Sequence, residues 1–298
     1  MAAPTLRQLQ MFLAVLDSGS VSAAARRLNL TQPAASQQLR QLERALGVRL
    51  LERAGGRLVT TAAGNAILPA ARRAQAAVTD AMSAAAEHRT GATAEVRMGT
   101  GATACIHLLP PVLAALRQRM PGLGVTIATG NTPDILRRLE AGDLDIALIT
   151  LGTALSRSLT SVRLVADPLM AILPATMVPD TARLSPLQLA HLPLVLYEPG
   201  GTTRALIESW FRRAGVTPHP VMELGSVEAI KAIVAGGLGA SILPCLALRD
   251  PMPDTVTRPL RPALTRQLGY VLRREKIMDR GMRAMVETLD SLRTHASL

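Results

Sequence analysis

Residues 20–61 read SVSAAARRLNLTQPAASQQLRQLERALGVRLLERAGGRLVTT, a stretch crowded with Ala, Gln, Leu and Arg and empty of aromatic rings. Its breakers and apolar spacing leave few folds open. Just before it, Leu6, Leu9, Phe12, Leu13 and Leu16 recur at helical spacing until Asp17-Ser18-Gly19 ends the run, which predicts a first helix. Ser20 or Ser22 can cap a short second helix with Val21, Ala24, Ala25 and Leu28 on one face, and Asn29 interrupts it. Thr31 then opens a third helix that tolerates Pro33 in its first turn, where a missing N–H costs nothing. Ala35, Leu39, Leu42 and Leu46 form its inward stripe, and Gly47 stops it.

The composition follows from what such an arrangement must do. Two helices crossing at a tight turn need small residues where they touch, and Ala23, Ala24, Ala25, Ala34 and Ala35 supply them. A helix lying in the major groove of DNA needs exposed amide, hydroxyl and guanidinium groups, and Gln32, Ser36, Gln37 and Arg40 fall on the other faces. The next segment, VRLLERAGGRLVTTAAG, reads as a strand, a Gly55-Gly56 turn flanked by Arg53 and Arg57, and a returning strand: a β-hairpin wing able to touch the DNA backbone or minor groove. A single Ala- and Arg-rich helix is more often a solvated surface helix. The ordered set of helix, helix, turn, helix and wing favours DNA. The excess of 33 Lys+Arg over 22 Asp+Glu, a net +11, suits a polyanion, although membranes and ribosomes attract the same charge.

On LRQLQMFLAVLDSGSVSAAARRLNLTQPAASQQLRQLERALGVRLLERAGGRLVTTAAG the chain resembles the LysR-type transcriptional regulators. Carried over position by position, the resemblance implies DNA contacts from Ser22, Thr31, Gln32, Pro33, Ser36, Gln37 and Arg40, and phosphate contacts from Arg53 and Arg57 in the wing. Many members carry Arg where this chain has Gln37, which leaves the base read there open. Residues 61–89 suit one long helix of about 40 Å. Its stripe of Ala with Ile67, Leu68, Val78 and Met82 fits packing against a second copy, and in the family this is the linker helix that pairs two DNA-binding domains. The expected domains are thus 1–60 (winged helix-turn-helix), 61–89 (linker and dimerisation helix) and 90–298 (effector-binding), with TGATA at 90–94 as the boundary.

The remainder alternates strands and helices. EVRMGT, GVTIAT and LDIALIT read as strands between helical LLPPVLAALRQRM and PDILRRLEAG, and LMAILP, PLVLYE, VMELG and GASILP continue the style around helices near 202–214 and 226–235. The fold class is therefore α/β with a mainly parallel sheet, preceded by the all-α winged helix-turn-helix. Two subdomains are expected, about 95–164 with 268–298 and about 165–267, similar to the family's periplasmic-binding-protein-like effector domain.

Ligands of open α/β sheets bind outside the carboxyl ends of the strands. Thr100, Thr103, Asn131, Thr132, Tyr197, Thr202 and Thr203 lie at such ends and are expected to converge on one cleft, with Thr150 and Val227 included in the same site. By resemblance, Thr103, Thr132 and Thr202 fall where family members bind effectors. Helix capping is an equally good reading for Thr202 or Thr203 alone. With Arg204 near and Cys105 as a wall residue, a small anionic metabolite is expected. Gly99-Thr100-Gly101-Ala102-Thr103-Ala104 fits the GxGxxA dinucleotide turn, so an NAD(P)-dependent enzyme with an added DNA-binding domain is the alternative. The next strand, however, ends without the acidic residue a ribose would need. A third reading is an architectural DNA binder without a ligand.

No HExxH, GxSxG or CxxC spacing occurs, the five His are scattered, and Cys105 and Cys245 stand far apart, so no catalytic centre, metal or resident cofactor is expected. Without a signal segment or a run of about 18 apolar residues, the expectation is a cytoplasmic protein with no membrane partner. The expected partners are double-stranded DNA at an inverted-repeat promoter site, a small-molecule effector, RNA polymerase, and further copies of the chain in a homodimer assembling to a homotetramer.

Overall fold

The computed structural model describes residues 3–86, 95–152, 154–250 and 252–295. The boundary expected at 90–94 and the end of the linker helix at 87–89 lie outside them. The chain divides into two compact units, Met1–Arg89 with Glu140–Asp143, and Thr90–Leu139 with Leu144–Leu298.

In the first unit, α1 (Leu6–Ser18) starts with Thr5 and Gln8 exchanging side-chain and backbone hydrogen bonds in a capping box, and ends at Gly19 in the left-handed region (φ 71°). Ser20, rather than Ser22, caps α2 (Val21–Arg27) by accepting from the Ala23 N–H at 3.1 Å. Asn29 takes the turn at φ 54°, a conformation its short side chain tolerates. Thr31 accepts from the Ala34 N–H to begin α3 (Gln32–Leu46). The hairpin β1 (Leu51–Ala54) and β2 (Arg57–Thr60) closes on Gly55 and Gly56, both at positive φ as a two-residue primed turn requires. Thr61 then accepts from the Gly64 N–H at the head of α4 (Ala62–Ala86). Met11, Phe12, Val15, Ala24, Ala25, Ala35 and Leu42 fill the core of this unit. Ala71, with Ile67 and Leu68 beside it, packs into that same core, so the N-terminal part of the linker stripe is used within the chain, while Met82 is exposed.

The second unit runs β3 (Glu95–Thr100), α5 (Ala102–His107), α6 (Leu109–Arg119), β4 (Gly124–Thr129), α7 (Thr132–Ala141), β5 (Ile146–Leu151), β6 (Leu159–Pro174), α8 (Pro186–Ala190), β7 (Leu194–Tyr197), α9 (Thr202–Arg213), β8 (Pro220–Leu224), α10 (Val227–Ala235), β9 (Ser241–Pro244), β10 (Thr255–Arg273) and α11 (Arg280–His295). The main sheet has the order β4-β3-β5-β10-β6-β9. β3, β4 and β5 are parallel, as expected, but β10 runs antiparallel to both β5 and β6, and β6 antiparallel to β9. The sheet is therefore mixed rather than mainly parallel. The reason lies in two unusually long strands, β6 of 16 residues and β10 of 19, which pass from one subdomain into the other side by side.

Each subdomain buries both faces of its strands, which is why those strands read as continuous apolar runs. In the first, Leu109, Val112, Leu116, Met285 and Leu289 cover one face and Ile135 and Leu139 the other. In the second, Trp210, Phe211 and Ile207 lie on one face and Ile230 and Val234 on the other. Trp210 satisfies its indole N–H by donating to the Pro262 carbonyl at 2.7 Å.

Candidate nucleic-acid interface and ligand cleft

The side chains of α3 divide by helical phase. Ala35, Leu39 and Leu42 are buried, whereas Gln32, Pro33, Gln37 and Arg40 are exposed and Ser36 is half-buried between the two sets. Thr31 is exposed at the cap, and Ser22, free of a capping role, is exposed on α2. The polar residues at the head of α3 are thus left to solvent, as a helix that enters a major groove requires.

The wing is more specific than its sequence suggested. Arg53 pairs in register with Leu58, and Ala54 with Arg57, so the two arginines leave opposite faces of the hairpin. Arg57 lies along Gly19, where an added Cβ would stand only 3.3 Å from its Nε. Gly19 thus serves twice, as the left-handed stop of α1 and as the floor under the Arg57 guanidinium. Arg40, Arg53 and Arg57 hold no ion pair among the described residues, whereas Arg27 is engaged by Asp17 at 3.2 Å.

In the second unit a cleft of about 420 Å³ opens between the subdomains, within the size range of small-molecule sites. Its walls are the carboxyl ends of β3 and β5, the starts of α5, α7 and α9, and residues 266 and 268 of β10. The structure brings Thr103, Asn131, Thr132, Thr150, Tyr197, Thr202, Thr203 and Val227 to this one space. Thr100 is not brought there: it is fully buried at the end of β3, and its hydroxyl donates to the Gly101 carbonyl. Cys105 is half-buried and not part of the wall.

Hydrogen bonding separates capping groups from free ones. Asn131 accepts from the Asp134 N–H and caps α7, and Ser226 caps α10. Neither Thr202 nor Thr203 caps α9, because the N-cap is Gly201, with no side chain to offer. Thr203 instead accepts from Arg266 Nη1 at 3.3 Å. Thr103, Thr132, Thr150 and Thr202 form no side-chain hydrogen bond among the described residues, which leaves their hydroxyls for a ligand.

Two charged residues depart from expectation. Arg204 lines the cleft but its guanidinium is turned into its own subdomain, with Nε 2.7 Å from Glu208, Nη1 2.7 Å from Glu223, and a further bond donated to the Tyr197 carbonyl. Arg266, which nothing in its local sequence singles out, is the buried cation of the wall. It is 5% exposed and its Nε donates to Asp167 Oδ2 at 2.9 Å across the β6–β10 register. Asp167 Oδ1 also accepts the Leu246 N–H, so the carboxylate ties three strands' surroundings together. The Tyr197 hydroxyl is buried without a partner. Burial pushes its pKa well up, with Arg266 pulling it back and Asp167 and Glu228 pushing further, so it stays a neutral donor.

A winged helix-turn-helix followed by a two-lobed α/β domain with a ligand-sized cleft defines a class: DNA-binding regulators that carry their own small-molecule sensor. Residues 6–65 match the family described as "Bacterial regulatory helix-turn-helix protein, lysR family", and residues 89–293 match the "LysR substrate binding domain". The chain belongs to the LysR family of transcriptional regulators; it binds DNA and a small-molecule effector and is not an enzyme. It is 34% identical over 245 residues to the HTH-type transcriptional regulator CfxR of Cupriavidus necator, covering 80% of this chain and 75% of the relative. It is 32% identical over 289 residues to the regulator CbbR of Xanthobacter flavus, covering 94% and 86%. Full-length OxyR from Pseudomonas aeruginosa shares the fold with a TM-score of 0.77 at 23% identity, covering 97% of this chain and 95% of that one. CbnR complexed with its target DNA superposes with a TM-score of 0.67 at 24% identity, covering 97% and 99%. The strand–turn–helix at residues 99–104 therefore belongs to a sensing domain. Gly99 is required by packing, since a Cβ there would come within 2.6 Å of Leu144 and 2.7 Å of Ile135.

Proposed function

We propose that this regulator reads its operator with Gln32, Ser36, Gln37 and Arg40 of α3, supported by Ser22, Thr31 and Pro33, and anchors on phosphates through Arg53 and Arg57. It acts in the cytoplasm, where its DNA lies; among the described residues no helix is long and apolar enough to cross a membrane. Two copies joined through α4 would present two reading heads to an inverted repeat, and sensing-domain contacts would join two dimers into a tetramer. Met82, a large apolar residue left exposed on α4, supports that pairing. RNA polymerase is the partner through which a bound tetramer would act on transcription. The effector site is the cleft between the subdomains.

The observation that carries this reading is the convergence of Thr103 and Thr132 from one lobe with Tyr197, Thr202 and Thr203 from the other on a single 420 Å³ cleft, where Thr103, Thr132 and Thr202 make no side-chain hydrogen bond among the described residues. Thermal shift of the full chain across a metabolite library identifies the effector, since saturation at about a hundred times its dissociation constant adds about 2.7 kcal/mol. Thr103→Val and Thr132→Val each remove a donor while keeping shape. Both should abolish the effector's influence on DNA binding and leave effector-free operator affinity unchanged. An undiminished response in both variants would place the effector elsewhere.

A further inference from the structure

The reading helix α3 carries one acidic side chain, Glu43, among its glutamines and arginines. A carboxylate on an element that approaches phosphates opposes binding by simple repulsion, so its presence needs another use. No cation pairs with it among the described residues. Half-buried on α3, it reaches forward along the chain instead, where its Oε1 accepts from the Leu50 N–H at 2.8 Å. A hydrogen bond to a charged acceptor is of the stronger kind. The Glu43 carbonyl meanwhile accepts from the N–H groups of Gly47 and Val48, which close the helix. One residue thus ends α3 and holds the chain seven residues further on.

Leu50 immediately precedes β1, and all of its groups are engaged. Its side chain is fully buried in the core of the first unit. Its carbonyl accepts from the Thr61 N–H at 3.0 Å and lies so near Gly64 of α4 that a Cβ there would stand 2.1 Å from the oxygen. Its N–H is the group that α3 answers. The returning strand is tied separately, by the Leu58 N–H donating to the Gly19 carbonyl at 3.1 Å. Of the hairpin's own apolar side chains, Leu51 and Leu58 pack against the core from partly buried positions, while Val59 is exposed. A two-stranded hairpin by itself is marginal in water, so these anchors set where the wing points.

Resting on the reading of Arg53 and Arg57 as phosphate contacts, we propose that Glu43 is a positioning residue for DNA binding, whose carboxylate fixes the wing relative to the reading helix by holding the Leu50 N–H. Without that carboxylate the N–H of a residue with no solvent exposure has no acceptor, and a buried amide left so is costly enough for the chain to move toward water. The movement falls at the root of β1. It carries Arg53 and, through the strand register, Arg57 away from their orientation beside α3. The negative charge of Glu43 works against DNA binding and its acceptor oxygen works for it, so the two effects have opposite signs and can be separated.

The test uses the full chain and a duplex of random sequence, with affinity read by fluorescence anisotropy over a salt series and wing protection by hydrogen–deuterium exchange. Glu43→Gln keeps an acceptor and removes the charge, so its slope of log affinity against log salt should equal or exceed the wild-type slope. Glu43→Ala removes both and should flatten the slope by about 0.9 to 1.8 per wing, which changes the ratio of affinities at about 50 and about 200 mM salt by about 3.5- to 12-fold. Exchange should quicken in residues 50–60 and not in α1 to α3. Should Glu43→Ala fail to melt cooperatively, Glu43→Asp keeps the charge but falls short of Leu50, and the same flattening is expected. In a chain already carrying Arg53→Ala and Arg57→Ala, Glu43→Ala should flatten the slope no further. A folded Glu43→Ala with the wild-type slope, where the wing arginine variants do flatten it, overturns the proposal. Equal flattening in Glu43→Gln overturns it too, as does an additional loss in the chain without wing arginines. If Arg53→Ala with Arg57→Ala leaves the slope untouched, the phosphate reading of the wing falls by itself. Exchange in residues 50–60 then decides the role of Glu43: faster exchange in Glu43→Ala supports it as the anchor of the wing, and unchanged exchange overturns it.

Discussion

Truncating the wing arginines one at a time gives a quantitative test of how this chain holds DNA. Arg53 and Arg57 are exposed, unpaired among the described residues and on opposite faces of the hairpin, so each is free to neutralise a phosphate of its own. Each phosphate contact contributes about 0.9 to the slope of log affinity against log salt. Between about 50 and about 200 mM salt, a fourfold change, one lost contact reduces the ratio of the two affinities by about 3.5-fold, and a dimer losing both copies by about 12-fold. Arg53→Ala and Arg57→Ala should each show this change on operator and on random DNA alike, measured by fluorescence anisotropy over a salt series. Arg27→Ala, which removes a guanidinium held by Asp17, should alter the slope less. The reasoning fails if neither wing variant changes the slope, or if the loss is confined to the operator sequence. Arg57 lies against Gly19, so it is partly ordered before DNA arrives and should cost the larger share of affinity of the two.

Gln32→Ala should cost about 1 to 3 kcal/mol on the operator and little on random DNA, and equal losses on both would deny it a base contact. Phe12→Ala empties the largest side chain of the DNA-binding core and should destabilise that unit by about 3 to 5 kcal/mol, abolishing operator binding at lower urea; a cost under about 1 kcal/mol would contradict the packing. In the sensing domain, burial of the Asp145 carboxyl pushes its pKa up, but hydrogen bonds from Arg97 and Lys276 and the Lys276 charge outweigh it and hold the value below the usual one. A depressed folded value means stability that is present above about pH 4 and is lost as pH falls through the folded value. Asp145→Asn should therefore lower Tm at pH 7 and narrow its gap to wild type in acid, and a gap independent of pH would refute the role of the charge.

The helical heads and stops of the DNA-binding unit were legible because the signals are local. Ser20, Thr31 and Thr61 cap within three residues of themselves, and Gly19 and Gly47 stop helices by their own backbone freedom, whereas the Thr5–Gln8 capping box at the head of α1 was seen only in the structure. The strand–helix alternation of the sensing domain was legible for the same reason, down to most of its element bounds. The first halves of β6 and β10 were not, because both read as irregular polar segments until they lie beside each other. The same limit applies to the linker stripe: its spacing shows an apolar face but not that Ile67 and Leu68 are taken by the core of their own chain.

What the sequence determined by itself is therefore the class of protein, the exposed polar face of α3 and the threonines at the strand ends. Each depends on neighbours a few residues away or on strand polarity, which is fixed by chain direction. Which of those threonines reach the cleft was decided only in three dimensions: Thr100 is buried in β3 while Thr103, the second residue of the next helix, lines the cleft. The cation of the cleft was decided there too. Arg204 has the right sequence position, beside the expected binding loop, but Glu208 and Glu223 draw it inward, while Arg266 arrives from 63 residues beyond Thr203 along a strand whose local pattern marks it as ordinary. A buried guanidinium needs a carboxylate, and the one that meets it, Asp167, is 99 residues away; only the side-by-side passage of β6 and β10 sets the two face to face.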